Sequence, residues 1–256
     1  MDDESDGTPD FEQAFAPLAH HLFPDGCPDH KEDLSSIWPS RTDRSAVSAK
    51  QARSSITELR RVASLSGLTQ GQLWAVTLAA CETLPKPEAV GVGSPLVDGT
   101  SKCFRDLIRC LLPRFGGEKG IPSAVVVRLV AIRCDRAGKA TVLRFLTLAV
   151  RSGSLMGHAR QTLSDLYGAI FPWVADPDTC MDAVRLLHAV TRRRHVRVDR
   201  AQRLSDWYNG SGNLSSIWLL LQLFARYDPE GCGSFFPSTA RGVLGSSAWS
   251  RCFQSK

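Results

Sequence analysis

Six histidines, eight cysteines and one run of arginines are the residues here whose types could support catalysis, metal binding or strong ion pairing. The cysteines stand at Cys27, Cys81, Cys103, Cys110, Cys134, Cys180, Cys232 and Cys252, and no two form a CxxC pair. Structural zinc draws ligands from such close pairs on a turn, so this spacing disfavours zinc. Cys103-Phe104 and Cys110-Leu111-Leu112 lie in apolar stretches and read as reduced, buried thiols that act as small hydrophobes. Of the histidines, His20, His21 and His30 fall in the acidic first segment, while His158, His188 and His195 are spread along the second half. There is no HExxH and no GxSxG elbow, so nothing local assembles a metalloprotease or a serine nucleophile. His188 falls on an inward stripe and reads as a core or boundary histidine. The glycine-rich stretch from Gly91 to Thr100, GVGSPLVDGT, has no Lys-Ser/Thr pair after its last glycine and so lacks the parts of a phosphate loop. The expectation is a non-enzyme with no cofactor, no metal and no small-molecule substrate.

The arginine run is the exception to this quiet inventory. Arg192, Arg193, Arg194, Arg197, Arg200 and Arg203 stand within twelve residues, opposed only by Asp199. Arginines after a helix end complement its macrodipole and free carbonyls, which is a structural role. The same cluster can also bind carboxylates or phosphates. Both readings hold for different members. Arg197, Arg200 and Arg203, at three-residue spacing, are expected on one outward face, and Arg193, Arg194, Arg197 and Arg200 are the candidate partner contacts. The nearby Trp207, Tyr208 and Trp218 sit at apolar helix positions, where core packing is favoured over base stacking.

The elements that must position this run are helical throughout. Ala52, Ile56, Leu59, Val62 and Ala63 form a stripe of period 3.6 that stops at Gly67. Thr69 is placed to cap the helix of Leu73, Trp74, Val76, Thr77 and Ala80, which Pro85-Lys86-Pro87 ends. Helix resumes through Phe104, Leu107, Ile108, Leu111 and Leu112 and breaks at Pro113. The stretch from Ser123 to Cys134 is β-branched but has no partner strand to satisfy its backbone, which favours a buried helix. Val142, Phe145, Leu146, Leu148 and Ala149 form the next face, closed by Ser152-Gly153. Ser154 is a candidate cap for one helix running from Leu155 to Pro172. Asp176-Pro177-Asp178 supplies a cap, a proline at the first helical position and a favourable charge. That helix carries Met181, Val184, Leu187 and Val190. Two more follow, one from Val198 to Asn209-Gly210 and one from Leu214 to Tyr227.

Short connections make consecutive helices antiparallel neighbours, and stacking such hairpins buries both faces. The expected fold is all-α, a HEAT-like α-solenoid with helix pairs repeating at about 40–47 residues. Residues 1–43 are expected to form an acidic, largely flexible tail. Phe11, Phe15, Leu18 and Leu22 make one short candidate helix there, interrupted by Pro17. Residues 44–256 are expected to form the repeat domain.

Charge and composition bound the partners. Residues 1–33 hold ten acidic residues and one lysine, a balance of −9. The whole chain is +5, so residues 34–256 carry +14. That basic body suits an acidic partner, protein or nucleic acid, or simply keeps the surface solvated. No stretch approaches 18 consecutive apolar residues, and the polar start MDDESDGTPD is unlike a secretory signal, so no membrane partner and an intracellular setting are expected.

One stretch also carries a resemblance. Leu166-Tyr167-Gly168-Ala169-Ile170-Phe171, Leu186-Leu187, Thr191-Arg192-Arg193-Arg194-His195-Val196, Arg200-Ala201-Gln202-Arg203-Leu204 and Leu219 to Tyr227 before Asp228-Pro229 resemble the N-terminal region of the centromere protein I family. The likeness is specific from Leu163 to Asp228, looser from Leu68 to Arg160, and gives nothing for residues 1–66. It implies a scaffold subunit of the inner kinetochore in the nucleus, binding the coiled-coil centromere proteins H and K and other inner-kinetochore subunits, with at most weak or indirect DNA contact. It also implies that the chain is an N-terminal piece of a longer protein, and the ending that runs from Gly233 is consistent with a cut inside a repeat. The alternative is a helical-repeat nucleic-acid-binding protein that uses its basic face.

Overall fold

The computed structural model describes residues 10–23, 49–65, 67–83, 100–111, 120–132, 134–155, 157–210, 214–232 and 235. The glycine-rich stretch as far as residue 99, Cys27, His30 and Cys252 lie outside them. Among the described residues there is no strand, only an isolated bridge between Ile121 and Leu155, so the fold is all-α as expected. The chain divides into two compact units, residues 1–169 and 170–256.

In the first unit, α1 (Phe11–Leu22) packs on α2 (Ala49–Leu65) and α3 (Gln70–Glu82). Asp10 starts α1 by accepting a bond from the Glu12 N–H at 3.0 Å. Phe11 and Phe15 stack at 5.3 Å and are buried with Leu18, so this helix of the acidic segment docks on its own chain. Pro17 does not break it. The ring removes the bond to the Gln13 carbonyl, and Gln13 is exposed, where water can take its place.

The α2 stripe buries Ala52, Ile56, Leu59 and Val62 and ends at Gly67, whose φ of 72° belongs to the left-handed region. Thr69 and Gln72 then form a reciprocal cap, with the Gln72 N–H donating to the Thr69 hydroxyl and the Thr69 N–H to the Gln72 side chain. Every residue from Ala75 to Ala80 is buried, because α3 is enclosed by α1, α4 (Thr100–Cys110) and α5 (Ser123–Ala131).

The valine-rich segment is helix α5. It buries Val125, Val126, Leu129 and Val130 at helical spacing and exposes Val127, a pattern no strand could produce. Asp135 caps α6 (Arg136–Arg151) through the Gly138 N–H at 2.8 Å. On α6 the expected apolar face needs a correction: Val142, Phe145, Leu146 and Ala149 are buried, but Leu148 is 53% exposed. Ser154 does not cap the next helix; its carbonyl accepts from the Ile121 N–H at 2.7 Å. The single helix expected up to Pro172 is instead α7 (Gly157–Asp165), α8 (Tyr167–Ile170) and a 3₁₀ turn (Phe171–Ala175).

In the second unit the Asp176-Pro177 signal starts α9 (Pro177–Val190) as expected, Asp176 accepting from the Asp178 N–H at 3.0 Å. α10 (Val198–Gly210), α11 (Leu214–Tyr227) and the short α12 (Pro229–Cys232) follow. Two bonds fix the stacking. The Ser216 hydroxyl reaches the Met181 sulfur at 3.4 Å, and the Tyr227 hydroxyl reaches the Thr191 carbonyl at 3.5 Å. The starts of α9 and α11 therefore meet, as do their ends, so the two helices pack parallel on each other, and α10, which joins them in the chain, packs on α11. The partners are 35 and 36 residues apart, a shorter repeat than the 40–47 expected.

Candidate functional site

The arginine run begins where α9 ends. Thr191 is buried there and closes the helix twice on the Leu187 carbonyl, through its N–H at 2.8 Å and its hydroxyl at 2.6 Å. Arg193–His195 then make one 3₁₀ turn. The turn is held from inside by His195, which is 5% exposed. Its Nδ1 accepts the Arg192 N–H at 3.0 Å, while its own backbone N–H donates to the Arg192 carbonyl at 2.8 Å. A neutral imidazole has one acceptor nitrogen. The Arg192 bond takes it, so the Arg194 Nε, 3.3 Å from Nε2, packs beside the ring rather than donating to it.

Arg200 comes back from α10 to lock the same turn. Its guanidinium donates to the His195 carbonyl at 2.9 Å and lies over the Phe171 ring at 5.7 Å. Phe171 in turn packs against Trp207 at 5.3 Å, and Tyr208 against Trp218 at 5.8 Å, so these aromatics serve packing as expected. Arg200 is half-buried, which corrects its placement on an outward face with Arg197 and Arg203. Only those two of the three are exposed. A long side chain lets a residue at the right spacing turn back onto its own chain.

The four candidate contacts therefore separate. Arg193 and Arg194 stand exposed on the turn. Arg197 is exposed and pairs with Asp199 at 2.8 Å at the start of α10. Desolvation raises the Asp199 carboxyl, but the bond and charge of Arg197, its backbone bond and the charge of Arg200 outweigh this and hold it below its ordinary value. Arg200 builds the turn. The result is a rigid loop presenting guanidinium groups, suited to carboxylate or phosphate.

Sequence reasoning favoured the wrong histidine. His188 is exposed, one position off the buried stripe of Val184, Leu187 and Val190, whereas His195 is the buried one. The H-V pair between two arginine groups was the only signal for it. The described cysteines are all unpaired, and burial raises every one of their thiols, pushing Cys110 up to about 12 and Cys134 and Cys232 up to about 11. Such thiols stay protonated and unreactive at neutral pH. Among the described residues no group of three or more His, Cys, Asp or Glu could hold a metal ion, and no helix is long and apolar enough to cross a membrane.

The family described as CENP-I: Mis6 matches residues 87–243, which include the whole arginine run. Centromere protein I of Mus musculus is 27% identical over 124 residues, covering 48% of this chain and 16% of the mouse protein. Centromere protein I of Gallus gallus is 26% identical over 125 residues, with the same coverage. The chain thus spans about a sixth of the length of these relatives. Two solved structures share the fold. A crystal structure of centromere protein Cenp-I aligns with 70% of this chain and 77% of its own at a TM-score of 0.55 and 22% identity. A crystal structure of the kinetochore subunits Cenp-H/I/K triple complex aligns with 77% of this chain and 86% of its own, also at 0.55, with 20% identity.

Proposed function

Because the chain belongs to the centromere protein I (Mis6) family, we propose that it is a non-enzymatic scaffold of the inner kinetochore whose helix stack holds the coiled-coil centromere proteins H and K. The observation that carries this reading is the shared fold with a chain solved in the Cenp-H/I/K triple complex. The rigid arginine turn supports it, since a preorganised basic loop loses little entropy when it meets carboxylates on a partner helix. Buried apolar anchors supply affinity in such a contact, and the charged rim sets register and on-rate.

Arg193, Arg194 and Arg197 are the cations that face the partner in this proposal, while Arg200 positions them. In this reading residues 1–43 are an acidic tail that includes α1, residues 44–256 are the repeat domain, and the site of action is the centromere of nuclear chromosomes. The test is co-expression of this chain with the coiled-coil segments of centromere proteins H and K, followed by size-exclusion chromatography with light scattering. A defined complex is expected. Separate elution of the three chains overturns the reading, and separate elution with tight, salt-sensitive binding to duplex DNA replaces it with the nucleic-acid alternative.

A further inference from the structure

We propose that the seam between α9 and α11 is a docking groove for an acidic amphipathic helix of a partner protein. The inference rests on the scaffold reading above and names a surface that reading leaves open.

The seam carries an apolar patch that folding does not bury. Met181 on α9 is 44% exposed and Leu219 on α11 is 51% exposed. They flank the same seam, since Ser216 bonds the Met181 sulfur and Leu219 lies one helical turn beyond Ser216. The exposed large apolar residues of the other unit, Leu65, Val127 and Leu148, stand on three different helices. Scattered apolar residues are ordinary on a surface; two large ones flanking one seam of parallel helices are the anchor of a contact.

Charge then selects the occupant. One turn along α9 from Met181 stands Arg185, its side chain 56% exposed, and its bonded carboxylate, Asp182, is buried at 5%. Further along the same direction come Arg226 on α11 and the Arg193–Arg194 turn beyond the end of α9. The seam is therefore apolar at its start and cationic at its end. From Met181 to Thr191 it runs roughly 15 Å, the rise of about ten helical residues. A helix of about three turns fits, with apolar side chains on Met181 and Leu219 and carboxylates toward Arg185 and the arginine turn. Nucleic acid would set phosphates against the apolar end. A second copy of this face would oppose cation to cation when parallel and cation to apolar residue when antiparallel.

The test uses the whole chain co-purified with the coiled-coil segments of centromere proteins H and K. The double variant Met181→Glu, Leu219→Asp is compared with Leu148→Asp, an equally exposed leucine of the other unit. The groove variant is expected to bind at least about 30-fold more weakly, the ratio that corresponds to a hot-spot loss of about 2 kcal/mol, and Leu148→Asp to bind as wild type. Equal binding by the groove variant overturns the groove and leaves the scaffold reading standing; absence of any wild-type complex sinks both. A photo-crosslinking residue at position 219 reads the contact without a charge change. A crosslink to the coiled-coil chains supports the groove. A crosslink only to a second copy of this chain, or to none, overturns it.

Discussion

Replacing His195 by alanine separates the residues that build the arginine turn from those that the turn displays. The substitution removes the Nδ1 acceptor of the Arg192 N–H and a side chain that is 5% exposed, but leaves the His195 carbonyl that Arg200 bonds. A part-buried N–H left without its partner costs about 1 kcal/mol, and loss of the ring's packing adds about as much. The sum of about 2 kcal/mol lowers Tm by roughly 4–8 °C in a cooperative body of this size. Arg193→Ala, two residues away and exposed, is expected within about 0.5 kcal/mol of wild type. His195→Asn regains part of the loss, since the Asn Oδ1 can accept the same N–H. Thermal melts followed by circular dichroism decide the matter. A His195→Ala protein that melts with wild type, or an Arg193→Ala protein that falls as far, refutes the division into builder and displayed residues.

Three further outcomes are expected from the geometry. Pro17→Ala restores the bond to the Gln13 carbonyl inside α1 and raises stability by about 1 kcal/mol, visible as a higher Tm; a lower Tm would show that the ring's packing outweighs the missing bond. Gly153→Ala, at φ 71° with open space around the new carbon, costs about 1 kcal/mol from backbone conformation alone, checked by urea titration against wild type. Burial raises the Cys110 thiol from 9.0 to about 12 in the folded chain. Its stabilising contribution is present below pH 9 and is lost as pH rises from 9 toward 12, because the unfolded thiol ionises first. Cys110→Ala should therefore flatten the alkaline fall of stability measured by denaturant melts between those values, and an unchanged slope would place the loss elsewhere.

Helix identity was legible in this sequence wherever local signals agreed. Thr69 and the Asp176-Pro177 pair marked two starts, and Gly67 and Gly153 marked two ends, because caps and left-handed turns depend on residues only a few positions apart. The valine-rich α5 was readable for the same reason, since Val125, Val126, Leu129 and Val130 follow the helical period despite their β preference. What failed depends on neighbours distant in sequence. Leu148 and Met181 fit their apolar stripes but face outward, because the packing helix covers only part of the stripe. Arg200 has the spacing of a displayed arginine yet turns back onto His195 and Phe171, and nothing local says that Phe171 is there to receive it. The break between α7 and α8 at Leu166 carries no proline at the joint, so period alone ran the two together.

The most direct measurement of the central claim is an affinity titration of labelled coiled-coil segments of centromere proteins H and K against this chain, beside labelled duplex DNA. Both are run at about 50 mM and about 200 mM salt, a range over which phosphate-based binding falls by orders of magnitude. The scaffold account predicts saturable coiled-coil binding at both salt levels, and DNA binding that is weaker and vanishes at the higher one. Tight DNA binding with a steep salt slope, alongside no binding of the coiled coil at either salt level, would contradict it.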